Sequence, residues 1–397
     1  MSVLENIRFQ RTFGSAGIAL GLLLTLRHID CINGTTPIII GLCLLAVCSV
    51  VAVCIKYRYK FGFNYTLLLF IAACAFSLII ERPEPLKYCW LRLAGFTIAL
   101  AAFSPLISSR LLSSLRRGIW KGWWIGAVIL TAASFMTLLT AVATSSTAEF
   151  HYFGFRGIMT MGMTLSPVAA LTAIFALYRL QGEIPIRMKR IAWLALFCAG
   201  AITAVAAGSR IAVIGLIAGS AVILVFGWRD GRRKTVIGLL CALMAVGAVC
   251  LSVPSISNSI KHKTALAVED GSPISSRQEK WKGRVTEFRI APLTGVGFCA
   301  QTVFNSPYDN ETEILDGKSP EPGSSWLSLP AQTGILGTGA FLAFLIPVIA
   351  KLLRKPRPLL SAVFVFLLLN GISEGWLLYS SALLFPLFWL STSFAYE

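Results

Sequence analysis

Apolar runs of roughly 17–25 residues, the length needed to cross a hydrocarbon core, recur along the chain and are separated by short clusters of Lys and Arg. A chain built this way has few folds open to it. Inside a bilayer every backbone N–H and C=O must find a partner within the protein, so continuous apolar runs of this length become helices. The composition agrees, with 56% hydrophobic and only 13% charged residues, against about 25% charged in a soluble domain. The predicted fold is all-α: a polytopic integral membrane protein with about 12 transmembrane helices. The spans fall near 13–26, 37–55, 63–80, 88–107, 121–143, 158–178, 191–207, 211–227, 235–251, 326–350, 358–372 and 376–393.

The basic clusters set an orientation. With both termini cytoplasmic, the inner segments hold 21 Lys and Arg and the short outer segments hold 6, which is the positive-inside bias. That placement also explains the net charge of +17 without nucleic acid as a partner. The first span follows Arg8 and Arg11 with no small-residue cleavage site after it, so it reads as an uncleaved helix rather than a signal peptide. Residues 1–251 would carry helices 1–9, residues 252–325 a long outer loop, and residues 326–397 helices 10–12, all in one membrane-embedded body. The loop contains an amphipathic helix around 275–290. Trp281, Val285 and Phe288 share one stripe, and Arg277, Lys280 and Arg284 share the next. This is the pattern of a helix lying on a membrane surface, in contact with lipids. Pro292 and the pair Gly295 and Gly297 end it, and a polar, acidic loop follows over 305–320.

Chemistry has few places to reside. Most of the ten cysteines lie within apolar runs, and His28, His151 and His262 are scattered, so no metal site or cofactor is indicated. Cys31 and Cys299 both fall on the outer side, and a disulfide between them stays open. Gly208-Ser209-Arg210 opens the eighth span at its outer end. There the unpaired N–H groups, the helix dipole and the guanidinium suit an oxyanion or phosphate; an ordinary tight turn with a snorkelling Arg fits the same residues. The basic stripe from Arg277 to Arg289 suits either a charged headgroup or plain solvation. Glu321 stands before Ser324 and Ser325, the natural caps of the tenth span, and a carboxylate there is able to take a proton from a sugar hydroxyl. Glu374 occupies the outer turn before the last span. Arg92 lies within the outer part of span four, where a charge usually faces a cavity or a partner.

Three motifs occur in a fixed order. They are Gly208-Ser209-Arg210, then Ser276-Arg277-x-x-x-Trp281 leading to Pro292-Leu293-Thr294-Gly295-Val296-Gly297, then Ser324-Ser325-Trp326-Leu327 leading to Gln332-Thr333-Gly334-Ile335-Leu336-Gly337. This set resembles the bacterial O-antigen ligase and O-antigen/exopolysaccharide polymerase family over roughly 200–345. The resemblance implies an inverting, metal-independent membrane glycosyltransferase without a cofactor. Such an enzyme moves a glycan from an undecaprenyl-diphosphate carrier to a sugar acceptor, either a growing polymer or lipid A core, on the periplasmic face of the inner membrane. It further implies that Arg210 and Arg277 hold the diphosphate; the reading of the residues themselves adds Ser209, Arg284 and Arg92 to the same cationic pocket. Ligases of this family carry a His, often followed by Asn, ahead of the pair that opens span ten. Here the stretch is Glu321-Pro322-Gly323-Ser324-Ser325, so Glu321 is the nearest replacement, with Glu374 behind it, and the reading moves toward a polymerase. The competing reading is a lipid-linked oligosaccharide flippase, a class often built from internal repeats and broken helices, neither of which the sequence displays.

Overall fold

The computed structural model describes residues 3–29, 36–144, 150–151, 154–182, 187–229, 231–254, 257, 275–303 and 322–397. Among them run helices α1 (Val3–Leu26), α2 (Thr36–Lys56), α3 (Tyr65–Glu81), α4 (Leu86–Phe103), α5 (Arg110–Ala143), α6 (Gly162–Gln181), α7 (Arg187–Ala206), α8 (Arg210–Arg229) and α9 (Arg233–Ser252). They continue with α10 (Ser275–Ile290), α11 (Ser325–Arg354), α12 (Pro358–Asn370) and α13 (Phe385–Tyr396). Two small antiparallel ribbons, β1–β2 (Gly62–Phe63 with Ile107–Ser108) and β3–β4 (Phe150–His151 with Gly154–Phe155), complete the regular structure.

Seven of these helices are long and apolar enough to cross a membrane: α2, α4, α5, α6, α7, α8 and α11. Two shorter apolar helices, α3 and α12, accompany them. The protein is therefore a helical, polytopic membrane protein. Large apolar side chains such as Ile38, Leu45, Ile214, Ile217, Ile335 and Ile346 stand exposed on these helices, as lipid-facing positions require.

Three predicted spans differ from what is observed. The first starts at Val3 instead of 13. The fifth starts at Arg110 instead of 121, because Ser109 caps the helix by accepting from Leu112 N–H. Arg116, one of the basic residues counted on the inner side, is buried and donates to the carbonyls of Ala101, Ala102 and Ile107. The last predicted span, 376–393, is helical only from Phe385. Residues 376–384 form irregular turns whose side chains, from Trp376 to Tyr379, are buried. Polar groups from elsewhere satisfy that backbone: Ser325 Oγ accepts from Trp376 and Leu377 N–H, and Arg27 donates to the Ser381 carbonyl.

Close contacts between backbones hold the bundle together. A Cβ added at Gly17 would sit 2.3 Å from the Leu115 carbonyl oxygen, and one at Gly122 would sit 2.1 Å from that of Ile18. So α1 and α5 cross with nothing between them, which is how membrane helices gain van der Waals contact when water supplies no driving force. Around Phe96, the rings of Phe70, Phe298, Phe385 and Trp389 tie α3, α4 and α13 together. Helices α8 and α12 run antiparallel, since Gly215 faces Phe366 and Gly219 faces Ala362. The start of α8 thus lies at the same end of the bundle as the close of α12.

Gly122→Leu is expected to force α1 away from α5, at a cost of about 1–3 kcal/mol or more. Its thermal unfolding midpoint in detergent should fall by several degrees. Gly41→Leu, where an added Cβ meets nothing within 4 Å, should leave the midpoint close to the parent value.

Candidate functional site

Helix α11 is interrupted at Gly334, whose backbone (φ 61°, ψ −165°) leaves the helical region. Such a break frees backbone groups that need new partners. The segment after α10 supplies them: Val296 N–H donates to the Ala331 carbonyl at 2.8 Å, while Ile335 and Leu336 N–H donate to the carbonyls of Pro292 and Leu293. Both contact points are glycine. A Cβ at Gly295 would lie 2.3 Å from Thr333 N, and one at Gly334 would lie 2.2 Å from the Leu293 carbonyl oxygen. Two motifs that are separate in sequence therefore form one backbone clasp between the end of α10 and the middle of α11.

Gln332, fully buried beside the clasp, connects three further elements. Its Oε1 accepts from Cys299 N–H at 3.1 Å, its Nε2 donates to the Tyr379 hydroxyl at 2.8 Å, and its carbonyl accepts from Ser77 of α3. Arg92 donates to the Cys299 carbonyl at 3.2 Å, in a turn where Cys299 itself adopts φ 57°. Cys299 is a buried free thiol, pushed up from its ordinary range by burial, while Cys31 lies outside the described residues.

At the start of α11 the two predicted caps divide the work. Ser324 caps the helix by accepting from Leu327 N–H. Ser325 ties it to the 371–377 turn, its N–H donating to the Gly371 and Glu374 carbonyls and its Oγ donating to the Glu374 carbonyl at 2.7 Å. Trp281 of α10 donates to the Gly323 carbonyl, and Gly375 packs so tightly on Pro322 that a Cβ would overlap it. These contacts bring α10, the head of α11 and the 371–377 turn to one place. There Arg277 Nη2 meets Glu374 Oε1 at 2.9 Å, with the two side chains 16% and 24% exposed.

The charged stripe of α10 faces the opposite way from the sequence expectation. Lys280, Arg284 and Glu287 are buried and Val285 is exposed, so the helix turns this stripe into the protein and leaves Lys282 and Arg289 outside. The reason is Glu287, which sequence reasoning passed over although it stands one turn beyond Arg284. Its Oε1 accepts from Thr302 and Val303 N–H at 2.7 and 3.2 Å, and its Oε2 lies 2.8 Å from Arg284 Nη1. The last contact is too bent for a hydrogen bond and acts as an ion pair by proximity. Burial outweighs these partners and raises the Glu287 carboxyl above its ordinary range.

Of the remaining candidates, Arg210 heads α8 with an exposed side chain and Ser209 before it is buried. Gly208 turns the chain there at φ 78°. The antiparallel pairing of α8 with α12 carries Arg210 toward the 371–374 turn. Glu321 and the acidic loop 305–320 lie outside the described residues. Among the described residues, no three His, Cys, Asp or Glu side chains gather as a metal site needs.

Residues 191–342, from the start of α7 into the second half of α11, match the family model described as O-antigen ligase. The matched stretch is under half of the chain's 397 residues, and it is similar to the O-antigen ligase family. No curated protein matches the chain.

Two outcomes test the site's construction. Gly295→Ala should open the clasp and expose Cys299, raising its alkylation rate roughly tenfold or more through easier local opening, as read by mass spectrometry of the Cys299 peptide. Glu287→Gln should leave Arg284 buried without its counter-charge and destabilise the protein by about 3–5 kcal/mol, seen as a lower midpoint of thermal unfolding.

Proposed function

We propose that the protein is an inverting glycosyltransferase that moves a glycan from undecaprenyl diphosphate to a sugar acceptor, with polymerisation favoured over ligation. It would cross the bacterial inner membrane twelve times with both termini cytoplasmic. The end of the bundle holding α10, the head of α11 and the 371–377 turn would face the periplasm.

The observation that carries this reading is the position of Arg277. Its guanidinium is half-buried at the junction of three elements, and the family match covers it together with Arg210. A diphosphate leaving group takes its charge into the transition state, and fixed guanidinium forks stabilise that charge better than mobile ammonium groups. Arg210 and Arg277 would bind the diphosphate, with Ser209 beside Arg210 and with Arg92 and Arg284 supplying positive potential from behind. A carboxylate, Glu321 or Glu374, would accept the proton of the attacking hydroxyl. The helix breaks at Gly334 and over 371–384 are features that transporters also use, but the family match favours transfer over translocation.

Arg210→Lys and Arg277→Lys are each expected to lower transfer from a lipid-linked glycan by roughly 10²-fold, with membrane insertion unchanged. Full activity in both would remove the diphosphate site from this place. Deleting the gene separates the two reactions: single-repeat surface glycan indicates a polymerase, and full-length polymer left on its carrier indicates a ligase. Carrier translocation in liposomes without acceptor-dependent bond formation would instead point to a flippase.

A further inference from the structure

Arg277, the guanidinium assigned above to the substrate's diphosphate, already holds an anion. Glu374 Oε1 sits 2.9 Å from its Nη2. The carboxylate is carried on a turn whose backbone is pinned independently of that side chain. The Glu374 carbonyl accepts from both Ser325 N–H and Ser325 Oγ, and its N–H donates to the Asn370 carbonyl. Rotating the Glu374 side chain away from Arg277 therefore leaves these backbone contacts in place. Both side chains keep some exposure, 16% and 24%, so an incoming ligand is able to reach the pair, unlike the sealed Arg284–Glu287 pair with exposures of 2% and 0%.

Resting on the glycosyltransferase reading, we propose that Glu374 is an internal anion which the substrate's diphosphate displaces from Arg277, and that the displaced carboxylate is the base for the acceptor. A diphosphate carries more charge than one carboxylate and presents several acceptor oxygens to the guanidinium fork, so it prevails in the exchange. A carboxylate separated from its cation is also a better proton acceptor. In the step itself, the acceptor hydroxyl gives its proton to Glu374 and its oxygen bonds to the anomeric carbon. The bond from that carbon to the diphosphate oxygen breaks, and the leaving lipid diphosphate keeps the electron pair. Glu374 then returns its proton to water and re-pairs with Arg277 as the lipid diphosphate leaves. The exchange ties the base's availability to an occupied donor site, and so disfavours proton abstraction when no donor is bound.

The test compares binding with turnover in full-length protein in detergent, using a short-chain polyprenyl diphosphate as the binding probe and a lipid-linked glycan as the donor. Glu374→Gln keeps the shape of the side chain. It should bind the probe about three- to tenfold more tightly, because the competing anion is gone, while transfer falls by roughly 10²-fold. Glu374→Asp withdraws the carboxylate by one methylene. It should also bind more tightly but retain a larger share of transfer than the Gln variant. Arg277→Gln should weaken probe binding. Unchanged or weaker binding in Glu374→Gln would overturn the exchange, and unchanged transfer would overturn the base assignment. A parent protein that neither binds the probe nor transfers glycan would defeat the glycosyltransferase reading itself, whatever the variants do.

Discussion

The backbone clasp between residues 292–296 and the break in α11 is the interaction on which the site depends. A helix break ordinarily leaves carbonyls and N–H groups without partners, and in a low-dielectric setting each such group costs several kcal/mol. Here a loop from elsewhere in the chain takes Ala331's carbonyl and the N–H groups of Ile335 and Leu336. Because Gly295 and Gly334 lack a Cβ, the two backbones approach closely enough to bond. The consequences run outward. The clasp fixes the end of α10 on α11, and Ser324 and Ser325 fix the head of α11 on the 371–377 turn. Between these two anchors, Arg277 and Glu374 have little choice but to meet.

The buried charges of α10 follow from the same geometry. Burying a guanidinium and a carboxylate rarely stabilises a fold on balance, since desolvation cancels much of their attraction. Glu287 offsets part of that cost by also accepting from Thr302 and Val303 N–H. What the pair secures is register. A rotation of α10 by one residue would strand both charges and lose two backbone contacts, and it would swing Arg277 away from the head of α11. The ion pair thus acts on the site from a distance, by allowing only one rotational setting of the helix that carries Arg277.

Helices were legible in the sequence because bilayer-length apolar runs have only one way to satisfy their backbone. The same logic hid the exceptions. Residues 376–384 are mostly apolar, so their composition does not reveal that Ser325, Cys299 and Arg27, all distant in sequence, take over their backbone partners. The glycines at 295 and 334 were visible as motifs, but their pairing was not, since it joins residues on either side of the stretch 304–321. Apolar side chains alone point α10 the wrong way round. With Glu287 counted as Arg284's partner, one turn along, the charged stripe becomes a candidate for burial. The sequence puts Arg277 in a basic stripe and Glu374 in an outer turn, with nothing to join the two. Nothing in a sequence brings together two residues that lie 97 positions apart.

Irregular backbone within a membrane protein is tolerated where the protein buries it or where it lines a polar cavity. Both interruptions in this bundle, at Gly334 and over 376–384, converge on Gln332, whose amide and carbonyl bond to Cys299, Tyr379 and Ser77. A break intended as a hinge needs groups that can exchange partners as it swings. Here the partners are buried, matched and joined to three separate elements, so the breaks are locked. A locked break suits a fixed site better than an alternating gate. It lets two chain segments enter the bundle non-helically and present the 371–377 turn to α10 at a set distance. The few side chains that keep some exposure there, Arg277 and Glu374 among them, are then the groups of this junction that solvent reaches.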